Sequence, residues 1–175
     1  WWGFETLPEV NEETPSYVEF ITGEGGVIDT WLRRGAAGFR LDVADELPDE
    51  FIEKVRTAVK RVGPDKFLLG EVWEDATTKF GFDKRRTYLL GKGLDSVMNY
   101  PFKNAVLGFV CGRDAGQTMT DILSICEHYP APALDTALNF LSTHDTERAL
   151  TVIADEPANG RGREWQSGRC VTGDA

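Results

Sequence analysis

Three features are scarce in this sequence, and each scarcity argues against a class of protein. The chain has three cysteines at irregular spacing, Cys111, Cys126 and Cys170, and only two histidines, His128 and His144. Neither set has the spacing of a disulfide framework or a zinc site, so we assign no metal and mildly favour a reducing compartment. Lysine and arginine number 19 against 29 acidic residues, a net charge of −10, which argues against a nucleic-acid partner.

Long apolar runs are also missing. No stretch approaches the roughly 20 residues that a membrane-spanning helix needs, and no signal peptide opens the chain. We therefore expect no membrane partner and a cytoplasmic location. Secretion is the alternative, because the chain starts at Trp1 rather than methionine and its true N-terminus is expected to lie outside this sequence. What is present is a globular composition, 41% hydrophobic and 27% charged over 175 residues.

Helical and strand patterns alternate along the chain. Apolar residues at helical spacing predict helices that begin at Pro15, Val27 and Pro48, and two more over 118–128 and 146–154. The helix over 118–128 is expected to bury Met119, Ile122, Leu123 and Cys126. Strands are predicted over 38–46, 66–73, 94–100 and 137–142, with a loop from 74 to 93. This alternation indicates βα units with parallel pairing, an α/β fold in a single domain.

The strand predicted over 38–46 ends in charge. Side chains alternate along a strand, so Arg40 and Asp42 fall on one face, close enough to interact. A buried carboxylate beside a guanidinium stays ionised, which would prepare an anionic nucleophile. An ordinary ion pair at a strand end is the alternative, and it is the better interpretation of these two residues taken alone.

Two further carboxylates change that balance. Asp42, Glu71 and Asp145 each lie at the C-terminal end of a predicted strand, in three different βα units. In a parallel α/β barrel the C-terminal strand ends converge on one face, where active sites are built. Three acids at equivalent places are harder to explain as structural coincidence than one.

Glycoside hydrolysis requires such a set of acids. A retaining enzyme needs one ionised and one protonated carboxyl group, about 5–5.5 Å apart. Asp42 suits the anionic nucleophile, while Glu71 ends an apolar run beside Trp73, a setting expected to keep it protonated as the acid. Asp145 could bind sugar hydroxyls with help from His144, provided that the strand ends or twists there, since strict alternation would separate the two side chains.

Three short motifs carry a family resemblance. The sequences GFRLD ending at Asp42, GEVW starting at Gly70 and STHD ending at Asp145 occur in the order found in the α-amylase superfamily, glycoside hydrolase family 13. The segments WWGF at the start and MNYPF at 98–102 resemble its neopullulanase, cyclomaltodextrinase and maltogenic amylase branch. The resemblance implies a retaining hydrolase of α-glucosidic bonds in maltodextrins, cyclodextrins, starch or pullulan-type glucans.

The resemblance also implies residue roles. Asp42 would be the nucleophile, Glu71 the general acid/base and Asp145 the stabiliser of the transition state. Substrate-binding roles are expected for four residues: Arg40, His144, Trp73 and Tyr100. The chain departs from the branch at Asp45 and Glu74, where asparagine and histidine are frequent, which affects the expected subsites. No cofactor is assigned; calcium stays open for the full-length protein, because its ligands in the family lie in regions without a counterpart here.

The same comparison predicts where the chain lies in a barrel. Its units correspond to about strands 4 to 7 of a (β/α)8 TIM barrel, so residues 1–175 would form part of a catalytic domain. The N-terminal strands, the last strand and the C-terminal β domain have no counterpart. A closed barrel needs about 250 residues, so we expect this segment alone to be inactive. The expected partner is an oligosaccharide or α-glucan, with a homodimer of the full-length protein left open.

Two alternatives stay open. One is an isomerase or transglycosylase of the same superfamily. The other is a non-catalytic relative that binds glycans or acts as a scaffold. The second ranks lower, because such relatives usually lose one or more of the three acids, and this chain retains Asp42, Glu71 and Asp145.

Overall fold

A computed structural model describes residues 4–154 of the chain. Its contacts divide these residues into two compact units. Among the described residues, unit 1 covers 4–71 and 76–97, and unit 2 covers 72–75 and 98–154. Within the described residues, no helix combines the length and the apolar character that crossing a bilayer requires.

Unit 1 is built from three helices, a three-stranded parallel sheet and a two-stranded antiparallel sheet. The helices are α1 (Pro15–Thr22), α2 (Val27–Arg33) and α3 (Asp49–Val62), and a 3-10 turn covers Ala44–Glu46. The strands are β1 (Gly38–Leu41), β2 (Phe67–Gly70), β3 (Phe80–Gly81), β4 (Lys84–Arg85) and β5 (Ser96–Val97). The first three helices and the first two strands confirm the predicted βα order.

The parallel sheet has the order β1-β2-β5. Arg40 pairs with Leu69 and Leu69 with Ser96, so the C-terminal ends of β1 and β2 lie side by side. Gly38 faces Phe67 in this register, and a Cβ at position 38 would collide with the Phe67 carbonyl oxygen. The glycine therefore permits the close approach of the two strands. Parallel pairing brings the residues that follow the two strands to the same edge.

Helix α3 supplies the centre of the apolar core of unit 1. Its first turn carries Asp49 and Glu50 and its last turn Lys60 and Arg61, charges that complement the helix dipole. Helices α1 and α2 pack against it. Burial is nearly complete along one stripe of α3 and on α2 and β2: Phe51, Ile52, Val55, Ala58, Val59, Ile28, Leu32 and Leu68. Area removed from water at these positions provides the main stabilisation of the unit.

The strand predicted over 38–46 is too long. β1 ends at Leu41, and Val43 adopts a left-handed backbone conformation with φ of 43° before the 3-10 turn. A left-handed conformation at a β-branched residue ends the extended strand, which alternation of apolar and polar residues does not reveal. The loop predicted over 74–93 likewise contains the two-residue strands β3 and β4, joined by Phe82 and Asp83, both at positive φ.

Unit 2 is mainly helical. It contains α4 (Tyr100–Val110), α5 (Ala115–His128), α6 (Ala131–Asp135) and α7 (Ala149–Ile153). The strand predicted over 94–100 is wrong beyond Val97, because the Asn99 side chain accepts a hydrogen bond from the Phe102 N–H and starts α4. The strand predicted over 137–142 is reduced to one parallel bridge between Leu138 and Met98.

Two helix predictions in unit 2 also need correction. Helix α5 has the predicted C-terminal end but buries Ile125, whereas Met119, Leu123 and Cys126 are exposed and Ile122 is half-buried. The predicted buried face follows from apolar residue types alone, whereas packing against α4 decides which side chains are buried. Helix α7 begins at Ala149 rather than Thr146, because the preceding residues form a turn.

Candidate active site

One guanidinium joins the first two predicted catalytic acids in unit 1. Arg40 Nη1 lies 2.5 Å from Asp42 Oδ1, and Nη2 lies 2.8 Å from Glu71 Oε2. The predicted interaction between Arg40 and Asp42 is therefore confirmed. Its second contact, to Glu71, was missed, because side-chain alternation within one strand says nothing about the neighbouring strand.

The two carboxylates differ in their surroundings. The Asp42 side chain is 73% exposed, so the expectation that it is buried is wrong for these residues. The Glu71 side chain is 2% exposed, and its Oε2 also accepts a hydrogen bond from the Val43 N–H at 3.1 Å. The expected apolar setting for Glu71 is wrong as well, because a cation and a backbone donor contact its carboxylate.

The turn after β1 explains this geometry. Strand pairing continues for one step past the sheet, since the Ala44 N–H donates to the Glu71 carbonyl oxygen at 3.0 Å. Val43, with its left-handed backbone, lies between Asp42 and Ala44. Its own N–H donates to the Glu71 side chain. Residues held in sparsely populated backbone regions cluster at functional sites. The end of β1 is therefore shaped to contact the end of β2.

A second set of residues in unit 1 holds the chain just after this turn. Asp45, one of the departures from the family pattern, accepts a hydrogen bond from the Tyr88 hydroxyl at 2.7 Å and pairs with Lys79 at 3.0 Å. Burial, reinforced by the hydrogen bond to Asp45, raises the pKa of Tyr88 well above its usual value. Tyr88 therefore stays a hydroxyl donor at any pH at which the protein works.

Unit 2 holds the two aromatic residues predicted to bind substrate. Trp73 stacks on Tyr100 with ring centroids 4.9 Å apart, and Phe140 meets Tyr100 edge-on at 4.8 Å. Trp73 is 44% exposed and Tyr100 only 2%. Trp73 thus has an aromatic surface accessible to a ligand, while Tyr100 lies beneath it as a support. The Lys103 ammonium lies 5.8 Å from the Tyr100 ring centre, and burial lowers the pKa of Lys103.

The third predicted acid, also in unit 2, lies on a tight turn. The Thr143 N–H donates to Thr146 Oγ1 at 3.1 Å, and the Asp145 N–H donates to Thr143 Oγ1 at 3.2 Å. His144 Nε2 and Asp145 Oδ2 are 3.2 Å apart, so the chain does turn where both side chains need to act together. Both side chains are accessible to solvent, at 71% and 38%.

The structure thus brings the predicted residues together in three groups. Arg40, Asp42 and Glu71 form the first, Trp73 and Tyr100 the second, and His144 and Asp145 the third. Sequence reasoning missed the contribution of Val43, whose backbone conformation leaves no signal in a residue pattern. Among residues 4–154, no three histidine, cysteine or acidic side chains lie close enough together to hold a metal ion.

Comparison with known proteins gives a consistent family. The family described as alpha amylase, catalytic domain, matches residues 2–166. An amylopullulanase of Thermoanaerobacter thermohydrosulfuricus is 34% identical, over 92% of this chain and 12% of its own length. A cyclomaltodextrinase of a Bacillus species is 37% identical, over 85% of this chain and 25% of its own length. The chain therefore spans a quarter or less of these two relatives.

The chain is also similar to solved structures of sugar-cleaving enzymes. A cyclic α-maltosyl-(1→6)-maltose hydrolase from Arthrobacter globiformis, in complex with maltose, superposes with a TM-score of 0.75 at 31% identity. The match covers 85% of this chain and 32% of that one. A debranching enzyme from Nostoc punctiforme superposes with a TM-score of 0.73 at 31% identity, over 86% of this chain and 32% of its own.

Proposed function

The chain belongs to the α-amylase family, and from that membership we propose that it forms part of the catalytic domain of a retaining α-glucan hydrolase. The family resemblance drawn from the three motifs is confirmed by the profile match and by the relatives. The observation that carries the proposal is the pair of contacts from Arg40 to Asp42 and Glu71 at adjacent strand ends. Retaining hydrolysis requires two carboxyl groups that flank the scissile glycosidic bond, one to attack the anomeric carbon and one to protonate the leaving oxygen.

The proposed first step breaks the glycosidic bond. Asp42 attacks the anomeric carbon while Glu71 gives its proton to the departing glycosidic oxygen, so that an ester to Asp42 forms and an alcohol leaves. Glu71, now a carboxylate, then removes a proton from water. The resulting hydroxide attacks the same carbon and releases Asp42, with net retention of configuration and no change of oxidation state.

Arg40 supplies a positive charge to both acids. Its guanidinium contacts the exposed Asp42 and the buried Glu71, so one cation orients the proposed nucleophile and the proposed acid/base. A guanidinium presents its donors in a fixed planar arrangement, which holds two carboxyl groups in defined positions. We therefore assign Arg40 a positioning role toward both acids.

The remaining roles follow from the other two groups. Asp145, paired with His144 on its turn, would bind sugar hydroxyls and stabilise the positive charge of the transition state. Trp73 would stack on a glucose ring, with Tyr100 and Phe140 fixing its orientation. Maltodextrins, cyclodextrins and pullulan are the proposed substrates, in keeping with the names of the relatives.

We further propose that the described units are about strands 4 to 7 of a (β/α)8 barrel. The parallel β1-β2-β5 order and the bridge between Met98 and Leu138 have the parallel pairing that such a barrel requires. The chain covers only 12% and 25% of the lengths of the two relatives, which is consistent with further strands supplied by a longer protein.

Replacement of each acid by its amide in the full-length protein tests the proposal. Asp42→Asn and Glu71→Gln should each reduce maltodextrin hydrolysis by about 10²-fold or more, because each removes one essential proton or electron-pair transfer. Asp65→Asn is the matched control, an exposed acid after α3, and should leave the rate unchanged. Activity of both Asp42→Asn and Glu71→Gln near the parent level would disprove the assignment.

A further inference from the structure

A buried arginine forms hydrogen bonds with the segment that follows the proposed nucleophile. Arg86 is 3% exposed, and all three of its guanidinium nitrogens donate hydrogen bonds within unit 1. Nε donates to Asp49 Oδ1 at 2.7 Å, Nη1 to the Asp45 carbonyl oxygen at 2.7 Å and Nη2 to the Leu47 carbonyl oxygen at 2.5 Å. Two of the three acceptors are therefore main-chain atoms of the segment after Asp42.

Two aromatic rings hold the guanidinium in place. Its central carbon lies 4.4 Å from the centre of the Tyr88 ring and 5.1 Å from that of Phe82. The Tyr88 hydroxyl then reaches the same segment directly through Asp45 Oδ1. A planar, stacked guanidinium with three directed donors fixes the orientation of its acceptors, which a lysine ammonium cannot do.

The segment that Arg86 binds, residues 45–49, follows a strained turn. Left-handed Val43 precedes the 3-10 turn that contains Asp45, whose carbonyl oxygen Arg86 binds, and such a conformation persists only when its surroundings enforce it. This turn directs the Val43 N–H to Glu71 and places Asp42 beside Arg40. Holding residues 45–49 therefore holds the turn that follows Asp42 and contacts Glu71.

We propose that Arg86 is a positioning residue for the nucleophile turn, acting through Asp45, Leu47 and Asp49 rather than on substrate. The inference rests on the proposed function, since it takes Asp42 as the nucleophile. A misplacement of about 1 Å at a reacting group reduces the rate about 10²-fold. Loss of the Arg86 hydrogen bonds should therefore lower kcat. KM should change little, because the surfaces that bind the glucan are unaffected.

The chain offers a matched control in Arg61. It also binds two main-chain carbonyl oxygens and one aspartate, Thr22 O at 2.9 Å, Gly23 O at 3.2 Å and Asp29 Oδ1 at 2.6 Å. These contacts fasten the end of α1 and the buried Asp29 of α2, and none of them reaches residues 42–49. All three contacts come from Nη2, so Arg61→Lys changes a guanidinium that binds main-chain carbonyl oxygens elsewhere in unit 1 without touching the nucleophile turn.

The test compares Arg86→Lys with Arg61→Lys in the full-length protein. Arg86→Lys should lower kcat for maltodextrin about 100-fold and leave KM within about threefold, whereas Arg61→Lys should leave both within about threefold. Should Arg86→Lys fail to fold, as judged by circular dichroism, Tyr88→Phe replaces it. That milder variant loses one hydrogen bond to Asp45 and should lower kcat about fivefold. Equal kcat losses for the Arg86 and Arg61 variants would overturn the proposal.

Amide hydrogen exchange gives a readout that does not depend on activity. Arg86→Lys should accelerate exchange in peptides covering residues 42–49 and spare those covering 15–33, and Arg61→Lys should do the reverse. An inactive parent protein would refute the proposed function but leave this crossed pattern to decide the role of Arg86. Unchanged exchange over 42–49 in Arg86→Lys would overturn the positioning role, whatever the activity.

Discussion

The ends of β1 and β2 carry the same type of side chain in opposite environments. The Asp42 side chain follows β1 at a turn and is 73% exposed, whereas the Glu71 side chain follows β2 and is 2% exposed, yet both contact Arg40. The difference arises from the backbone, since Val43 turns the chain away after Asp42 and donates to Glu71. Two acids at equivalent strand ends therefore become chemically distinct through one turn.

The sharpest contrast between the two acids should come from the leaving group. Glu71→Gln should lose about 10²–10⁴-fold in rate on maltodextrin, whose leaving alcohol needs a proton, and much less on a glucosyl fluoride, whose leaving group does not. Asp42→Asn should lose activity on both substrates, because the bond to carbon cannot form. Initial rates on the two substrates measure this. Equal losses for the two variants on both substrates would abolish the distinction.

Removing the shared cation should affect both acids at once. Arg40→Leu leaves the buried Glu71 carboxylate without its guanidinium, and breaking a buried pair costs about 3–5 kcal/mol. We expect reduced stability together with a lower kcat, because Asp42 and Glu71 both lose the cation that orients them. Arg40→Lys, which keeps the charge, should retain more of both properties. Unchanged stability and kcat in Arg40→Leu would contradict the role given to Arg40.

A carboxylate at the opposite end of the sheet serves as the structural counterpart. Asp95 precedes β5 and binds Arg56 at 2.7 Å, Lys60 at 2.8 Å and the Leu68 N–H at 2.8 Å. Burial opposes ionisation of Asp95, but these hydrogen bonds outweigh it and hold its pKa below the usual value. A lowered pKa means that Asp95 stabilises the fold above its ordinary pKa, and that this stabilisation is lost as pH falls through the folded-state pKa.

Asp95→Asn should therefore affect stability and leave catalysis intact. We expect a loss of about 1–3 kcal/mol in the free energy of unfolding near neutral pH, with a smaller loss below the pKa of Asp95. Denaturant titrations of parent and variant at several pH values measure it, and kcat is the control. A variant with normal stability but impaired kcat would place Asp95 with the catalytic acids instead.

The smallest effect is expected at the aromatic platform in unit 2. Trp73→Ala should raise KM for maltodextrin about tenfold with little change in kcat, because a stacking surface worth about 0.5–1.5 kcal/mol beyond its area is removed. Trp73→Phe, which keeps a ring over Tyr100, is the control and should retain most of the affinity. A KM unchanged by Trp73→Ala would remove Trp73 from the substrate site.

Residue patterns predicted the strand-end acids but not their environments. The β/α order, the helix α3 and the contact between Arg40 and Asp42 follow from local periodicity, and all three are confirmed. Three features depend on contacts between residues 28 to 41 positions apart: the turn at Val43, the burial of Glu71 and the hydrogen bonds of Arg86. Such contacts are set by sheet register and packing, which a one-dimensional pattern does not encode. For the same reason the buried stripe of α5 was misjudged.

Trapping of the covalent intermediate tests the central claim most directly. The full-length Glu71→Gln variant, treated with an activated fluorinated maltosyl fluoride, should form the ester quickly and break it down slowly, because its second step lacks a base. Peptide mass spectrometry should then find the sugar on the peptide that contains Asp42. A label on any other residue, or turnover of the reagent without a labelled protein, would contradict the assignment of Asp42 as the nucleophile.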